Sequence, residues 1–518
     1  MSAISVPSGR DGPRAGGSRA GRSRAGNRGI AGGITRTGVT LSLAFAILAG
    51  GAGYWQVFRA ADLSVRSDNP AVIAAARNAV RGLIYDRTGV VLASNKRDAN
   101  GEPYRAYADP ALSGVIGYAS RLFGSAGLER AYDAQLTGAA GADSVRDMLR
   151  KFQSNPTDPQ SLRTTLSLSL QRLAVRLLGG DRGAVVMLDP RSGQVLVLAS
   201  TPTFNASAVA NPATSRATFT ALKADQSLPL LPRAVQGQYV PGSVFKIVTS
   251  MAALGSGAIT PATTYKQQPG AEETGLLVSG YRVMDGHHRF TGSKALDYAE
   301  AIEVSCNIYF ALTGLRTGGQ ALHSYADQLG FDASLPFDLP TAVSQVTNGG
   351  GSFGGGFTDD VELANAAYGQ AETLVTPLQM ALVAATVANG GVTMRPYLVT
   401  SEVGKQSGTR TIDPQEMRRV VSPDVASTIA SAMELAVEGD WGRLFTTGAA
   451  VPGVQTAGKT GTAQLGGSGE PHSWFIGFAP VDKPQIAIAV IVERGGHGAV
   501  RAAPIAGQLM QAFFAGQK

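Results

Sequence analysis

The chain has 518 residues, 44% hydrophobic and 16% charged, which excludes a generally disordered protein and leaves room for more than one packed domain. Its net charge of +7 is uneven: seven arginines against one aspartate give the first 36 residues +6, leaving +1 for the rest. That excess describes a tail, so composition does not argue for a nucleic-acid-binding surface.

Residues 1–36 are rich in Gly, Arg, Ser and Ala and hold no aromatic ring, so they are expected to stay disordered. Without rings to stack bases, this basic tail is read as facing lipid in the cytoplasm, not nucleic acid. Residues 37–58 are uncharged and mostly apolar between Arg36 and Arg59, long enough to cross a bilayer, with Tyr54 and Trp55 placed for an interfacial belt. The arginines precede the span, which predicts a single-pass plasma-membrane anchor with the N-terminus in the cytoplasm and everything after Arg59 outside. A cleaved signal peptide is the rival, since Ala49-Gly50-Gly51 is small enough to cut, but the apolar stretch is longer than such segments usually are.

Residues 59–161 form the next segment, in which 81–93 reads as two short strands around a turn at 86–89. From 162 to 518 the pattern is that of a larger domain. A helix is expected over 166–178, and strands over 184–188 and 194–199 flank the turn Asp189-Pro190-Arg191-Ser192-Gly193. Three more strands, 456–464, 474–479 and 485–493, precede a closing helix at 500–515. The expected class is α/β (α+β): an antiparallel sheet built from both ends of the domain between helical layers. The glycine run 349–356 follows no strand and opens no helix, so it is read as a mobile loop near the cleft mouth and not as a nucleotide site.

The chemistry-bearing stretch is Tyr239-Val240-Pro241-Gly242-Ser243-Val244-Phe245-Lys246, followed by an apolar run that stops at Gly255-Ser256-Gly257. Pro241 and Gly242 set a turn, Ser243 enters the first helical turn, and Lys246 lies three residues on, on the same face. A serine hydroxyl needs a base at neutral pH, and a lysine desolvated in an apolar helix can become one. An S-x-x-K tetrapeptide alone is weak. Sixty-two residues on comes Ser305-Cys306-Asn307, and later Lys459-Thr460-Gly461-Thr462. The three in this order resemble the penicillin-binding proteins. The wording around them is similar to the monofunctional class B type, and the resemblance covers most of the chain after about residue 37. Residues 81–93 resemble the R-G-x-I-x-D-R-x-G-x-x-L-A signature that opens that type's non-catalytic region. Gly127-Leu128-Glu129 with Tyr132, Asp133 and Leu136 resembles its second signature.

The resemblance implies a penicilloyl-serine transferase fold in 162–518, a short β-rich, dimerisation-like pedestal in 59–161, and a peptidoglycan D,D-transpeptidase inhibited by β-lactams. Ser243 would attack the D-alanyl-D-alanine end of a stem peptide, Lys246 would take its proton, and Ser305 with Asn307 would tie lysine, nucleophile and substrate together. An oxyanion needs two donors set beforehand; the N–H groups of Ser243 and Thr462 would supply them. Lys459, Thr460 and Thr462 would hold the terminal carboxylate, and Gly461 would leave space for the substrate backbone. Capture by a neighbouring amine makes a cross-link, whereas water gives D,D-carboxypeptidase activity.

The short segment ahead of the catalytic domain leaves no room for a glycosyltransferase domain, so a SEDS-type (shape, elongation and division) membrane glycosyltransferase is the expected partner. Alternatives are a β-lactam-binding activator of that glycosyltransferase, a β-lactam sensor and a β-lactamase. Glu362 superficially offers the lactamase's deacylating glutamate, but Asp359, Asp360 and Glu362 ahead of an apolar run read as a helix start. No cofactor is expected. Cys306 is the single cysteine, which excludes an intrachain disulfide and is read as a small buried residue. His287, His288, His323, His472 and His497 lack metal-site spacing, so no metal is expected either.

Overall fold

The computed structural model describes residues 27–54, 80–139, 158–285, 288, 291, 292, 294–466 and 469–516. The N-terminal helix belongs to one unit and the described residues from Val80 onward to a second, compact one.

The first helix runs Asn27–Gly53, and its stretch Arg36–Gly53 has a mean hydropathy of 1.2, long and apolar enough to cross a membrane. It begins ten residues before the expected span, inside the stretch read as disordered. Those residues hold too little apolar surface to build a core of their own. A helix bonds its own backbone internally and needs no core to continue from an apolar neighbour. The remainder of the expected tail, Trp55 and the end of the expected span lie outside the described residues, as do 59–79 and 140–157 of the expected pedestal.

The central sheet of the large unit is antiparallel, in the order Ala457–Ala463, His472–Ala479, Ile486–Val492, Gly183–Leu188, Val195–Thr201. Its inner strands read as unbroken apolar runs because both faces are covered. Ala184, Val186 and Leu188 point into the core shared with the helices Lys246–Gly255, Pro377–Ala388 and Pro423–Glu438. Val185 and Met187 point to the opposite core, under the helices Leu168–Leu178 and Ala502–Ala515. These elements agree with the sequence reading to within two residues at most ends. The strand Ala457–Ala463 lies at the sheet edge, so its outer side is open to the cleft.

The pedestal is a six-stranded sheet ordered Gly408–Thr411, Val399–Gly404, Ser161–Thr164, Ile84–Tyr85, Val91–Arg97, Pro103–Tyr107. The expected hairpin in 81–93 is there, with Asp86 Oδ1 accepting the N–H groups of Thr88 and Val90 in its turn. The expected boundary at 161/162 falls inside a strand of this sheet. Two further strands arrive from residues 399–411, so the catalytic segment completes the pedestal.

Candidate active site

Ser243 lies in a 3-10 turn, Gly242–Phe245, that leads into the buried helix Lys246–Gly255. Gly242 has φ +57, and a Cβ there would sit 2.9 Å from the carbonyl oxygen of Thr462. Only glycine serves both demands, and the close approach sets the start of the Ser243 turn against the edge strand carrying Lys459, Thr460 and Thr462. Gly461 has a packing role that the sequence did not show: a Cβ there would meet Pro241 O at 2.8 Å and Trp474 Cβ at 3.0 Å, so its bareness lets the strand pack on this turn.

Lys246 is fully buried, and its Nζ lies 2.5 Å from Ser305 O, 2.8 Å from Asn307 Oδ1 and 3.2 Å from Ser305 Oγ. Burial lowers it from 10.5 to about 8, against the upward pull of Asp285 and Cys306. A lysine so placed carries a usable neutral fraction at neutral pH, and Ser305 Oγ is the hydroxyl it can exchange a proton with. No hydrogen bond joins Ser243 Oγ to Lys246 among the described residues. The two serines face a common cleft of ≈ 150 Å³ whose walls include Ser243, Ser305, Lys459, Thr460 and Thr462, and Lys246 stands behind Ser305 Oγ. A cavity of ≈ 710 Å³ between Tyr118 and Leu335 is larger but brings none of these groups together.

Ser305 sits between the helices Tyr298–Glu303 and Asn307–Thr317 with φ +62, a left-handed conformation that costs a non-glycine residue about 1 kcal/mol or more. The N–H of Cys306 bonds back to Ala301 O at 2.9 Å, which holds the turn. Cys306 is buried as expected, and its Sγ accepts the Tyr309 N–H at the start of the second helix. Asp285, which the sequence reading missed, accepts the Ile308 N–H at 3.1 Å beside it. Nothing local marked Asp285; it arrives from a loop twenty residues upstream.

Cys306 also has company that the sequence did not reveal. Its Sγ, the Glu272 carboxylate and the His288 ring place one donor atom each within 4.8 Å of one another, all buried. The His288 Nδ1 to Glu272 Oε1 distance is 3.1 Å. Cysteine, histidine and carboxylate are zinc-type donors and these three could hold a metal ion, but burial pushes the Cys306 thiol well up and its Sγ donates to Glu272 Oε1 at 3.7 Å, so here the group is joined by its own hydrogen bonds. His287 lies outside the described residues.

Lys459 is 1% exposed, with Nζ 3.1 Å from Thr460 O. Burial and the neighbouring Lys246 push it well below the ordinary lysine value, against the pull of Asp285. The two lysines share one desolvated wall, so charge on either disfavours charge on the other.

Two expectations concern residues off this wall. Glu362 lies in the first turn of the helix Asp360–Ala366, capped by Asp359, and its carboxylate is taken up by Thr347 Oγ1 at 2.6 Å and by Thr358. That is the helix-start reading. In the glycine run, Gly354–Gly356 makes one 3-10 turn, and Gly354 O packs so closely on Gly319 that a Cβ there would lie 2.1 Å away. The run therefore sits on the start of the helix Gly319–Gln328, and none of it lines the cleft.

Residues 183–511 match the family described as the penicillin binding protein transpeptidase domain, and residues 81–161 match the penicillin binding protein A dimerisation domain. The chain is 33% identical over 496 residues to the peptidoglycan D,D-transpeptidase PbpA of Mycolicibacterium smegmatis, covering 91% of this chain and 96% of that one. It is 30% identical over 421 residues to the peptidoglycan D,D-transpeptidase MrdA of Acinetobacter baumannii, covering 73% of this chain and 58% of that one. The ceftriaxone acyl-enzyme complex of penicillin-binding protein A from Mycobacterium tuberculosis has a TM-score of 0.74 at 32% identity, over 85% of this chain and 99% of that one.

Proposed function

The chain belongs to the class B penicillin-binding proteins, and from that membership we propose how its cleft divides the work of a peptidoglycan D,D-transpeptidase. It cross-links stem peptides through an acyl-serine intermediate formed on D-alanyl-D-alanine, and β-lactams trap the same serine. Ser243 is the nucleophile and Lys246 the base. The observation that carries this is the Lys246 ammonium site: fully buried, lowered to about 8, and held on the Ser305–Asn307 turn.

In acylation, Ser243 Oγ attacks the penultimate carbonyl while Lys246 takes its proton, and Ser305 Oγ, 3.2 Å from Lys246 Nζ, relays a proton to the departing amine. The N–H groups of Ser243 and Thr462, brought close by the Gly242 approach, hold the oxyanion. Lys459 with Thr460 and Thr462 takes the terminal carboxylate. That carboxylate favours a charged Lys459, and a charged Lys459 in turn favours a neutral Lys246, so substrate binding itself prepares the base.

The pH dependence follows with a definite sign. Protonated Lys246 cannot accept a proton, so the rate of acylation by penicillin should rise with pH and level off above about 8. Stopped-flow acylation rates measured across that region check this; a rate indifferent to pH there would remove Lys246 from the base's role.

The stretch Arg36–Gly53 acts as a retained single-pass anchor, with the arginine-rich side in the cytoplasm and the transpeptidase outside. The two family matches account for pedestal and transpeptidase and not for glycan polymerisation. A SEDS-type membrane glycosyltransferase is therefore the partner proposed to make the strands that this chain cross-links. The purified chain should make no glycan from lipid-linked disaccharide, and polymer produced by it alone would contradict the partnership.

A further inference from the structure

Glu303 ends the helix Tyr298–Glu303 two residues before Ser305 and is 9% exposed, yet it forms part of the cleft wall with Ser243, Lys459 and Thr460. One of its oxygens is committed: Oε1 accepts the N–H groups of Trp441 and Gly442, each at 3.0 Å. Gly439 crowds the same oxygen, since a Cβ there would lie 2.4 Å from it. The carboxylate is thus fixed in place by backbone. No hydrogen bond to the other oxygen, Oε2, is found among the described residues, and the side chain lines the cleft. A carboxylate nine-tenths buried on a cleft wall, with one oxygen committed to backbone, is an acceptor for a cation entering that cleft.

Its position says which cation, on the reading that Lys459 and Thr460 hold the terminal carboxylate of the donor peptide. The residue bearing that carboxylate is the D-alanine that leaves, so Glu303, on the same wall, lies on the leaving-group side of Ser243. Aminolysis of the acyl-enzyme is acylation run backwards, and the incoming nitrogen must approach from where the departing one left. A primary amine in neutral water is mostly ammonium. We infer that Glu303 is a specificity residue for the second half-reaction, drawing the ammonium of the acceptor peptide into the cleft. Bound there, the ammonium sheds one proton to solvent. Its nitrogen then forms the C–N bond as the ester C–O bond to Ser243 breaks, and the second amine proton passes through Lys246 to Ser243 Oγ. An acceptor held this way competes better with water, which would otherwise hydrolyse the ester.

The test is the ratio of amide to hydrolysed product from the full chain in detergent, measured by mass with a D-alanyl-D-alanine-terminated donor and two acceptors. One is a peptide with a free lysine side chain; the other is hydroxylamine, uncharged at neutral pH. Glu303→Gln keeps an oxygen for Trp441 and Gly442 and removes the charge, so the ratio should fall on the order of tenfold with the lysine peptide, as loss of one charge-assisted contact implies, and hold with hydroxylamine. In the unmutated chain, added salt should lower the ratio for the lysine peptide alone. An equal fall for both acceptors, or no fall, overturns the inference. Penicillin labelling separates the two levels: an unmutated chain that takes no label would sink the underlying assignment of the cleft, whereas a labelled chain without acceptor discrimination sinks only the role of Glu303.

Discussion

Ser243→Ala is expected to leave the chain unlabelled by fluorescent penicillin, because the ester that carries the label has no oxygen to form on. The loss should be complete, unlike the graded slowing that follows removal of a helper group. Ser305 makes this a discriminating experiment. Its Oγ lies 3.2 Å from Lys246 Nζ, within hydrogen-bonding reach, and so is a rival nucleophile. The case for Ser243 rests on its turn: it opens a buried helix and packs through Gly242 on the strand of Thr462, so two backbone donors can meet beside its hydroxyl. Ser305 stands in a strained turn between two helices with its side chain toward the lysine. Ser305→Ala should therefore still take the label, more slowly. Label that persists in Ser243→Ala and maps to Ser305 by peptide mass would exchange the two roles.

The parts of this site legible in the sequence were those written locally. Ser243 and Lys246 share a helical face because of their spacing, and the strands at 183–188 and 486–492 announce themselves as apolar runs between turns. Asp285, Glu303 and the Glu272–His288–Cys306 group were not legible. Each matters through a contact with a residue far along the chain, and a lone acid or histidine carries no sign of which loop it will meet. The packing role of Gly461 was hidden for a related reason: the sequence shows that a side chain is missing but not what would have struck it. The two lysines were read as one base and one cation, whereas their shared burial makes the charge of each depend on the other.

The pedestal signatures offer the second large effect. Read singly, 81–93 is a hairpin without chemistry and Gly127-Leu128-Glu129 a short motif of unstated purpose. In the fold they are two halves of one ion cluster. Glu129, fully buried, accepts Arg81 Nε at 2.8 Å on one oxygen and Arg105 Nε at 2.7 Å on the other, while Arg81 also reaches Asp133 at 2.7 Å. Burial alone would raise the Glu129 carboxyl, but Arg105 and Arg81 overcome it and hold it below the ordinary value of 4.5. Its contribution to stability is therefore present above that value and is lost as pH falls through the lower folded one. Replacing Glu129 by Ala strands Arg105, 2% exposed, with Asn95 as its remaining side-chain partner and an Nη2 already unsatisfied. Removing one partner of a buried pair costs about 3 to 5 kcal/mol, and because this sheet is completed by strands at 399–411, the loss should be felt by the catalytic segment too. The check is urea unfolding followed by far-UV circular dichroism, in which Glu129→Ala should unfold at markedly lower denaturant at neutral pH and approach the unmutated chain in acid. Converting the pair to apolar residues, Glu129→Leu with Arg105→Met, should recover much of the loss, since it is the uncompensated charge that destabilises. A Glu129→Ala chain as resistant to urea as its parent would mean that the two signatures are joined by packing and not by charge.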